Sequence, residues 1–508
     1  MKTNYLIIFL IFTVQSTIAQ TILPAIPPCN YTLTLSGSPY IANSNITIGN
    51  GCHLTVNAGV EIKMAENTHL IVKGKVDFLG TASEPIYIHA KDTTWGNILL
   101  DSTTVQKSVF NYVNIQNGRR NVDTTKMPAV LFGYYSAFEI KNCHFENNLR
   151  CIYSYKCSDI LIENCVLDST NRGEKILHQY ANQVVIDSCI LFNTYGDADV
   201  IDFDGSADIV ISNNQLYGGG DDGIDLGRAI DPDAPDSIGC TNVTIETNVI
   251  YGMFNKAVSN GENAANINIH HNLMINCGWG IGAKAGAYVT ADHNTIYKCR
   301  LGVKSYDHYD GWGPGHLFVS NSIIAGCDTT WVRDSTALLS VVYSLSDSTL
   351  ISGTGNIQGD PLFVSVYLIP PWDSLGHLYA SPFVISSSDF HLHSASPAID
   401  SGDPAFAPDP NGSRTDMGAL FYDNTAAIGL YNQPFEYLNI YPNPAGNTIE
   451  INSSAKSYGV LIRNSFGQVV YCNEAPLQLI DIGFLPGGIY YIELTGDNEA
   501  DVKKIVKY

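Results

Sequence analysis

Eight short segments between residues 140 and 325 share one pattern: EIKNCHF, LIENCVL, VIDSCIL, VISNNQL, TIETNVI, NIHHNLM, TADHNTI and FVSNSII. One column of them reads Cys143, Cys165, Cys189, Asn214, Asn248, Asn272, Asn294 and Ser322, at spacings of 22, 24, 25, 34, 24, 22 and 28 residues. Three residues earlier runs an apolar column from Ile140 and Ile162 to Ala291 and Val319. A period near 23 with short alternating strands constrains the fold severely. No single repeat can bury its own apolar edge, so the repeats must stack as the turns of a β-solenoid around one continuous core. Consecutive turns then lie about 4.8 Å apart, and equal positions stand directly over one another. Identical side chains form ladders, as asparagines do in stacked sheets.

Composition and the chain start narrow the function classes. The formal net charge is −22, from 49 acidic and 27 basic residues, which argues against a nucleic-acid partner because phosphate binding needs a basic face. Clustered carboxylates instead draw cations. No serine-protease or kinase motif is present. The start, MKTNYLIIFLIFTVQSTIAQ, has a lysine, an apolar run and small residues up to Ala19, and reads as a signal peptide over 1–19. That run is too short for a membrane span, and no later segment predicts one. A secreted or surface-attached protein is expected, with no transmembrane segment in the mature chain, acting as a monomer.

The pattern resembles the right-handed parallel β-helices of the pectate lyase type, which often carry inward asparagine ladders. The resemblance implies an all-β chain: a right-handed parallel β-helix over 20–354 with an N-terminal cap. A cap is needed because open strand edges invite aggregation. Of twelve cysteines, the laddered ones, including Cys277, Cys299 and Cys327, read as small buried residues, since stacked side chains do not converge as a disulfide requires. Cys29 and Cys52 are expected to pair. Residues 355–425, rich in Pro, Asp, Gly and Ser, resemble the closing segment of bacterial secreted β-helices. Asp409, Asn411 and Asp416 there can order turns or bind calcium. Residues 434–508 carry YLNIYPNPAGNTIEI, GVLIRNSFGQVV, LPGGIYYIEL and the basic end VKKIVKY. They resemble the C-terminal sorting domain of the type IX secretion system. That implies a small β-sandwich recognised by the secretion machinery, and export through the periplasm and outer membrane to the surface or beyond.

One stretch carries chemistry. In GGGDDGIDLGR, residues 218–228, three carboxylates fall within five positions. An inward apolar column holds Ile152, Ile176, Ile201, Ile224, Val258, Ile281 and Val303, so its neighbours face outward. Counting registers places Asp202 against Asp225 and Asp199 against Asp222, with Asp204 and Asp221 at the margins. Carboxylates so close repel unless a cation lies between them, and calcium takes six to eight oxygens in irregular geometry. A calcium site of Asp199, Asp202, Asp221, Asp222 and Asp225 is one reading; a solvated acidic face is the other.

Lys256 continues the Asp199–Asp222 column, and Lys284 and Lys304 follow. A cation beside a lysine suits β-elimination from a uronic acid, in which a neutralised carboxylate acidifies the adjacent C–H and a base removes the proton. DDGIDL, residues 221–226, is similar to the calcium motif of family nine of the pectate lyases. The resemblance implies a lysine base one turn later, but KAVSNGE has Ser259 at that position; Lys256 comes three residues earlier and Lys284 one turn later. These two lysines are the catalytic candidates. Long turns at 228–240 and 306–316 can wall a groove, where Arg228, Tyr306, Tyr309 and Trp312, with His308, offer surfaces for a sugar; they can equally pack on themselves. The expected function is a secreted or cell-surface protein that engages acidic polysaccharide with calcium, either as a lyase or as a non-catalytic glycan-binding or adhesive protein. A purely structural envelope protein would show neither activity nor glycan affinity.

Overall fold

The computed structural model describes residues 20–103, 106–119, 128–168, 173–192, 194, 196–229, 238–308, 311–366, 369, 372, 388–423, 438–453, 459–464, 469–473, 478–485, 487–495 and 500–507. The expected signal peptide lies outside them. Among the described residues the chain is built of strands, with one 3-10 turn at Leu35–Gly37 and no helix long and apolar enough to cross a membrane. Strands from Thr21–Ile22 to Ile357–Gln358 assemble into three sheets of 15, 13 and 13 members, wound as a right-handed solenoid of about 12 turns. Neighbouring turns pair in parallel and in register. Ile140, Ile162, Ile186, Ile211, Ile245 and Ile269 stand one above the next, all fully buried.

A single corner recurs in each turn. The residue before the ladder position has a left-handed backbone: φ is 54° at Asn142, 56° at Asn213, 57° at Thr247 and 55° at His271. Side chains such as threonine and histidine enter that region only at a cost, and the ladder holds them there. The Asn248 Oδ1 accepts from both the backbone N–H (2.9 Å) and the side-chain amide (3.0 Å) of Asn214. Its own amide donates to the carbonyl of Ile211 (2.8 Å) and to Asn272 Oδ1 (2.9 Å). Asn272 repeats the arrangement on Asn294. Each asparagine thus satisfies backbone groups that the bend removes from the sheets. Upstream, Cys143, Cys165 and Cys189 occupy the same column as free, buried thiols, and Cys277 and Cys299 form the second buried column. Cys29 and Cys52 are disulfide-bonded.

Residues 20–33 lie across the first turn: Thr21 N–H donates to Pro39 O and Leu23 N–H to Ile41 O. The segment after 358 folds back along the flank of the solenoid. Phe390 and Ile369 bury Tyr217, Tyr251 and Ile275, which point outward from one sheet. Thr415 bonds His293 Nε2 at 2.8 Å, and the Ala419 N–H donates to Thr295 Oγ1 at 2.9 Å. Asp409 and Asp416 spend their oxygens on nearby backbone N–H groups, including those of Asp416 and Tyr422. Among the described residues they act as turn-ordering side chains. After residue 437 two antiparallel sheets, of three and four strands, share a separate core that includes Ile449, Ile462, Ile492 and Ile505.

Truncating Asn248 to Ala takes the bond partner from the Asn214 backbone N–H and from the Ile211 carbonyl in the core, at about 1–3 kcal/mol for each orphaned group. Urea unfolding should show a clearly lower midpoint for Asn248→Ala. The same change at exposed Asn57, which sits on a strand and not at a left-handed corner, should stay within about 0.5 kcal/mol of the parent.

Candidate functional site

Five successive members of one sheet carry the outward side chains of interest: Ile201–Asp204, Ile224–Ala229, Lys256–Asn260, Trp279–Ala283 and Leu301–Ser305. Their inward residues Ile201, Ile224, Val258, Ile281 and Val303 are fully buried, which turns the alternate positions outward. Asp202 pairs with Asp225, and Asp225 with Ser259. Before the strands begin, the Asp222 N–H donates to Asp199 Oδ1 (2.8 Å), and the Lys256 N–H donates to Asp222 Oδ1 (2.7 Å). Each carboxylate thus caps the backbone of the next turn.

The column containing these caps reads Arg150, Glu174, Asp199, Asp222, Lys256. Arg150 is ion-paired to Glu174. Lys256 donates its ammonium to both oxygens of Asp222 (3.1 and 3.0 Å), with both side chains buried. The protein's own cations therefore neutralise Glu174 and Asp222 at the ends of this column, and between them stands Asp199, whose charged neighbours are the carboxylates of Asp225 and Asp222. Asp199, Asp202 and Asp225 each place an oxygen within 4.8 Å of the others, and Asp199, Asp221 and Asp222 do the same. Oδ1 of Asp202 and Oδ1 of Asp225 are buried without a hydrogen-bond partner. Burial, then the charges of Asp225 and Asp222, push the Asp199 carboxyl up to about 9, although the Asp222 amide opposes this. Burial and the charges of Asp204, Asp225 and Asp199 drive Asp202 well above the carboxylate range. Burial raises Asp222 to about 6 against the pull of Lys256. A set of clustered carboxylate oxygens, two of them orphaned, fits a hard divalent cation such as calcium. All five carboxylates named from the sequence are brought together here.

The next turns form the basic half of the same cleft, a cavity of about 510 Å³ with Asp221, Asp222 and Asp225 on one side and Lys256, Lys284 and Lys304 on the other. Two glycines make room for the lysines to lie back toward the acids. A Cβ at Gly282 would come 2.8 Å from Lys256 Cδ, and one at Gly261 would come 2.7 Å from Lys284 Cε. Trp279 holds two ammonium groups, with Lys256 at 5.4 Å and Lys304 at 5.0 Å from its ring, and Lys304 also lies 4.4 Å from the Tyr306 ring. Burial works to lower the Lys284 pKa, but Asp225, Glu262, Tyr306 and Asp222 outweigh it and raise it. Lys284 is therefore a firm cation.

Other candidates sit differently from a free sugar platform. Arg228 and Trp312, from the two long turns, meet each other at 4.8 Å. Tyr306 is only 7% exposed and packs edge-on against Trp279. Tyr309 lies outside the described residues. The outward column also changes character upstream of Asp202. Tyr153 and Leu177, expected at the surface, are buried with Leu99, Phe132 and Ala129, so the acidic face ends abruptly there. Sequence reasoning missed the roles of Trp279, Gly261 and Gly282. The signal was present in WGIGAKAG, where glycines alternate with the inward Ile281 and Ala283.

Residues 128–301 match the family described as right handed beta helix region, and residues 439–508 match the secretion system C-terminal sorting domain. The sorting domain indicates export through the type IX system to the outer cell surface or the extracellular space. No curated protein sequence matches the chain. Among solved structures, the chain is similar to the pectate lyase Pel9A (17% identity, TM-score 0.35, covering 72% of this chain and 89% of that one). It is also similar to the A-module of the mannuronan C-5 epimerase AlgE6 of Azotobacter vinelandii (12%, TM-score 0.36, covering 61% and 88%), and to an alginate lyase from Paenibacillus sp. (13%, TM-score 0.29, covering 59% and 98%).

The raised carboxyls set a pH dependence. A carboxyl whose folded pKa lies above its unfolded value stabilises the fold while protonated, and this contribution is lost as the pH rises through the folded value. With chelator present, the melting temperature should fall as pH rises from about 4, most steeply up to about 6, where Asp204 and Asp222 finish titrating, and more gently from there toward 9 through Asp199. Asp199→Asn should flatten the alkaline part of that decline in a thermal-shift series.

Proposed function

We propose that this secreted or cell-surface β-helix protein engages an acidic polysaccharide in the cleft between the Asp199–Asp202–Asp225 cluster and the Lys256–Lys284–Lys304 rim. The observation that carries this reading is the juxtaposition itself: Asp225 belongs both to the carboxylate cluster with Asp199 and Asp202 and to the lining of a cavity it shares with Lys256, Lys284 and Lys304. Asp199, Asp202 and Asp225 would hold calcium, with Asp221 and Asp222 completing the set. Bound there, the ion would neutralise a uronate carboxylate and acidify the adjacent C–H. The lysine rim contributes cationic donors to the same carboxylate and to ring hydroxyls.

The sharper form of the reading is a lyase. A lysine amine would take the proton beside the carboxylate, the electron pair left behind would form a C=C bond as the glycosidic C–O bond breaks, and the departing oxygen would take a proton from water. Lys256 and Lys284 are the candidates for the base. The second reading, a non-catalytic glycan-binding or adhesive protein, is favoured by the engagement of both lysines as cations: Lys256 with Asp222, Lys284 among Asp225 and Glu262. The base role requires that cation binding loosen this hold.

Two measurements test the proposal. Calcium should raise the melting temperature of the parent and leave Asp202→Asn/Asp225→Asn unmoved; no shift in the parent rejects the cation site. Incubation with pectins, alginates and glycosaminoglycans plus calcium should yield unsaturated uronide if the protein is a lyase, with activity lost in Lys256→Met or Lys284→Met. Binding to these polymers without product assigns the non-catalytic role, and neither binding nor product rejects the proposal.

A further inference from the structure

The sheet that carries the acidic cleft also carries a patch of tyrosines on its N-terminal side, and the register connects the two. Tyr134 pairs with Tyr155, Tyr155 with Gln179, and Gln179 with Asp204. Tyr155 is thus two turns from Asp204, and Tyr134 three. At the corner that follows these strands stand Tyr135, Lys156 and Tyr180, one per turn. All three are left-handed, at φ 47°, 52° and 53°. The same corner is Ser102 one turn before and Gly205 one turn after, residues that suit a tight bend better than tyrosine does. Bulky left-handed residues stand at other corners too, among them Tyr112, His271 and Tyr343; what sets this corner apart is that its side chains meet one another and those of Tyr134 and Tyr155.

The rings are arranged as a platform. Tyr134 and Tyr155 stack in parallel at 5.8 Å, and Tyr135 and Tyr180 stand edge-on to Tyr155 at 6.2 and 5.8 Å. The Lys156 ammonium lies 5.9 Å from the Tyr135 ring and 5.4 Å from each of Tyr155 and Tyr180. Tyr135 is 39% exposed, and Tyr134, Tyr155, Lys156 and Tyr180 are half-buried. A hydrogen-bonded chain runs from this region to the acids: Tyr153 hydroxyl to Gln179 Oε1 (2.8 Å), and Gln179 amide to Asp204 Oδ2 (2.9 Å).

We infer that Tyr134, Tyr135, Tyr155 and Lys156 form a second subsite for the same acidic polysaccharide, two to three turns from the cleft toward the N-terminus; this rests on the function proposed above. The spacing of turns, about 4.8 Å, is comparable with the advance per sugar of an extended pyranose chain. One chain laid along the solenoid axis therefore presents successive rings to successive turns. The tyrosine faces take the apolar C–H face of a sugar. The Lys156 cation selects a carboxylated sugar over a neutral one, by charge complementarity.

The test uses the full chain with calcium and two oligouronates, a short one that fills only the cleft and a longer one that spans cleft and platform. The parent should bind the longer one more tightly, and Tyr135→Asn, a residue that tolerates the left-handed corner, should remove roughly ten-fold of that advantage. Short-oligomer affinity should stay unchanged, and the melting temperature should not fall. Lys156→Gln should weaken the longer oligouronate but not a neutral oligosaccharide of equal length. Equal loss for short and long oligomers, or no loss in either variant while the parent binds, overturns the platform and leaves the cleft reading intact. No binding of any oligouronate by the parent overturns both.

Discussion

The structure depends on register. Parallel strands from successive turns pair residue for residue, and the asparagine ladder locks that pairing at one corner, where each amide serves the backbone of the turn before it. A one-residue slip would turn the inward isoleucines out and the outward aspartates in. It would also break a column of buried amides that bond one another and the backbone of the adjoining turns. The cost of slippage is therefore paid along the whole ladder, and the outward columns inherit its precision.

On such a scaffold charge becomes a matter of columns. Stacking Asp199 on Asp222 and Asp202 on Asp225 is unfavourable by itself, and the chain offsets part of it, with Arg150 and Lys256 at the ends of one column and with Lys284 near Asp225. The middle keeps orphaned oxygens and strongly raised carboxyls. A fold that needed only solubility would separate these groups. Holding them together within a continuous sheet, beside three lysines seated on Trp279 and on two glycine positions, gives the proposed site a set of oxygens that fits a cation and a cationic rim next to it.

Much of this was legible in the sequence because the signal is periodic. The ladder column, the inward Ile201–Ile224–Val258 column and the stacking of the aspartates follow from counting alternate residues within strands. The Cys29–Cys52 pair and the free ladder thiols followed from where side chains can point. Contacts that do not repeat were not legible. The placement of described residues such as Ile369 and Phe390 against the flank, where Phe390 covers Tyr217 and Tyr251, follows no period of the sequence. The outward tyrosines and isoleucine of that sheet at 217, 251 and 275 were its trace. The burial of Tyr153 and Leu177 was missed for the same reason, since alternation predicts a direction but not what lies over it. The meeting of Arg228 and Trp312 joins two loops whose sequences are unrelated.

The central claim is that stacking leaves Asp199, Asp202 and Asp225 as one group that takes up a cation. Crystals soaked in calcium, or in a lanthanide substitute, test it by anomalous diffraction. The account predicts a peak coordinated by oxygens of Asp202 and Asp225. At a saturating concentration of the ion, a cleft without such a peak, with those two side chains turned apart, would contradict it.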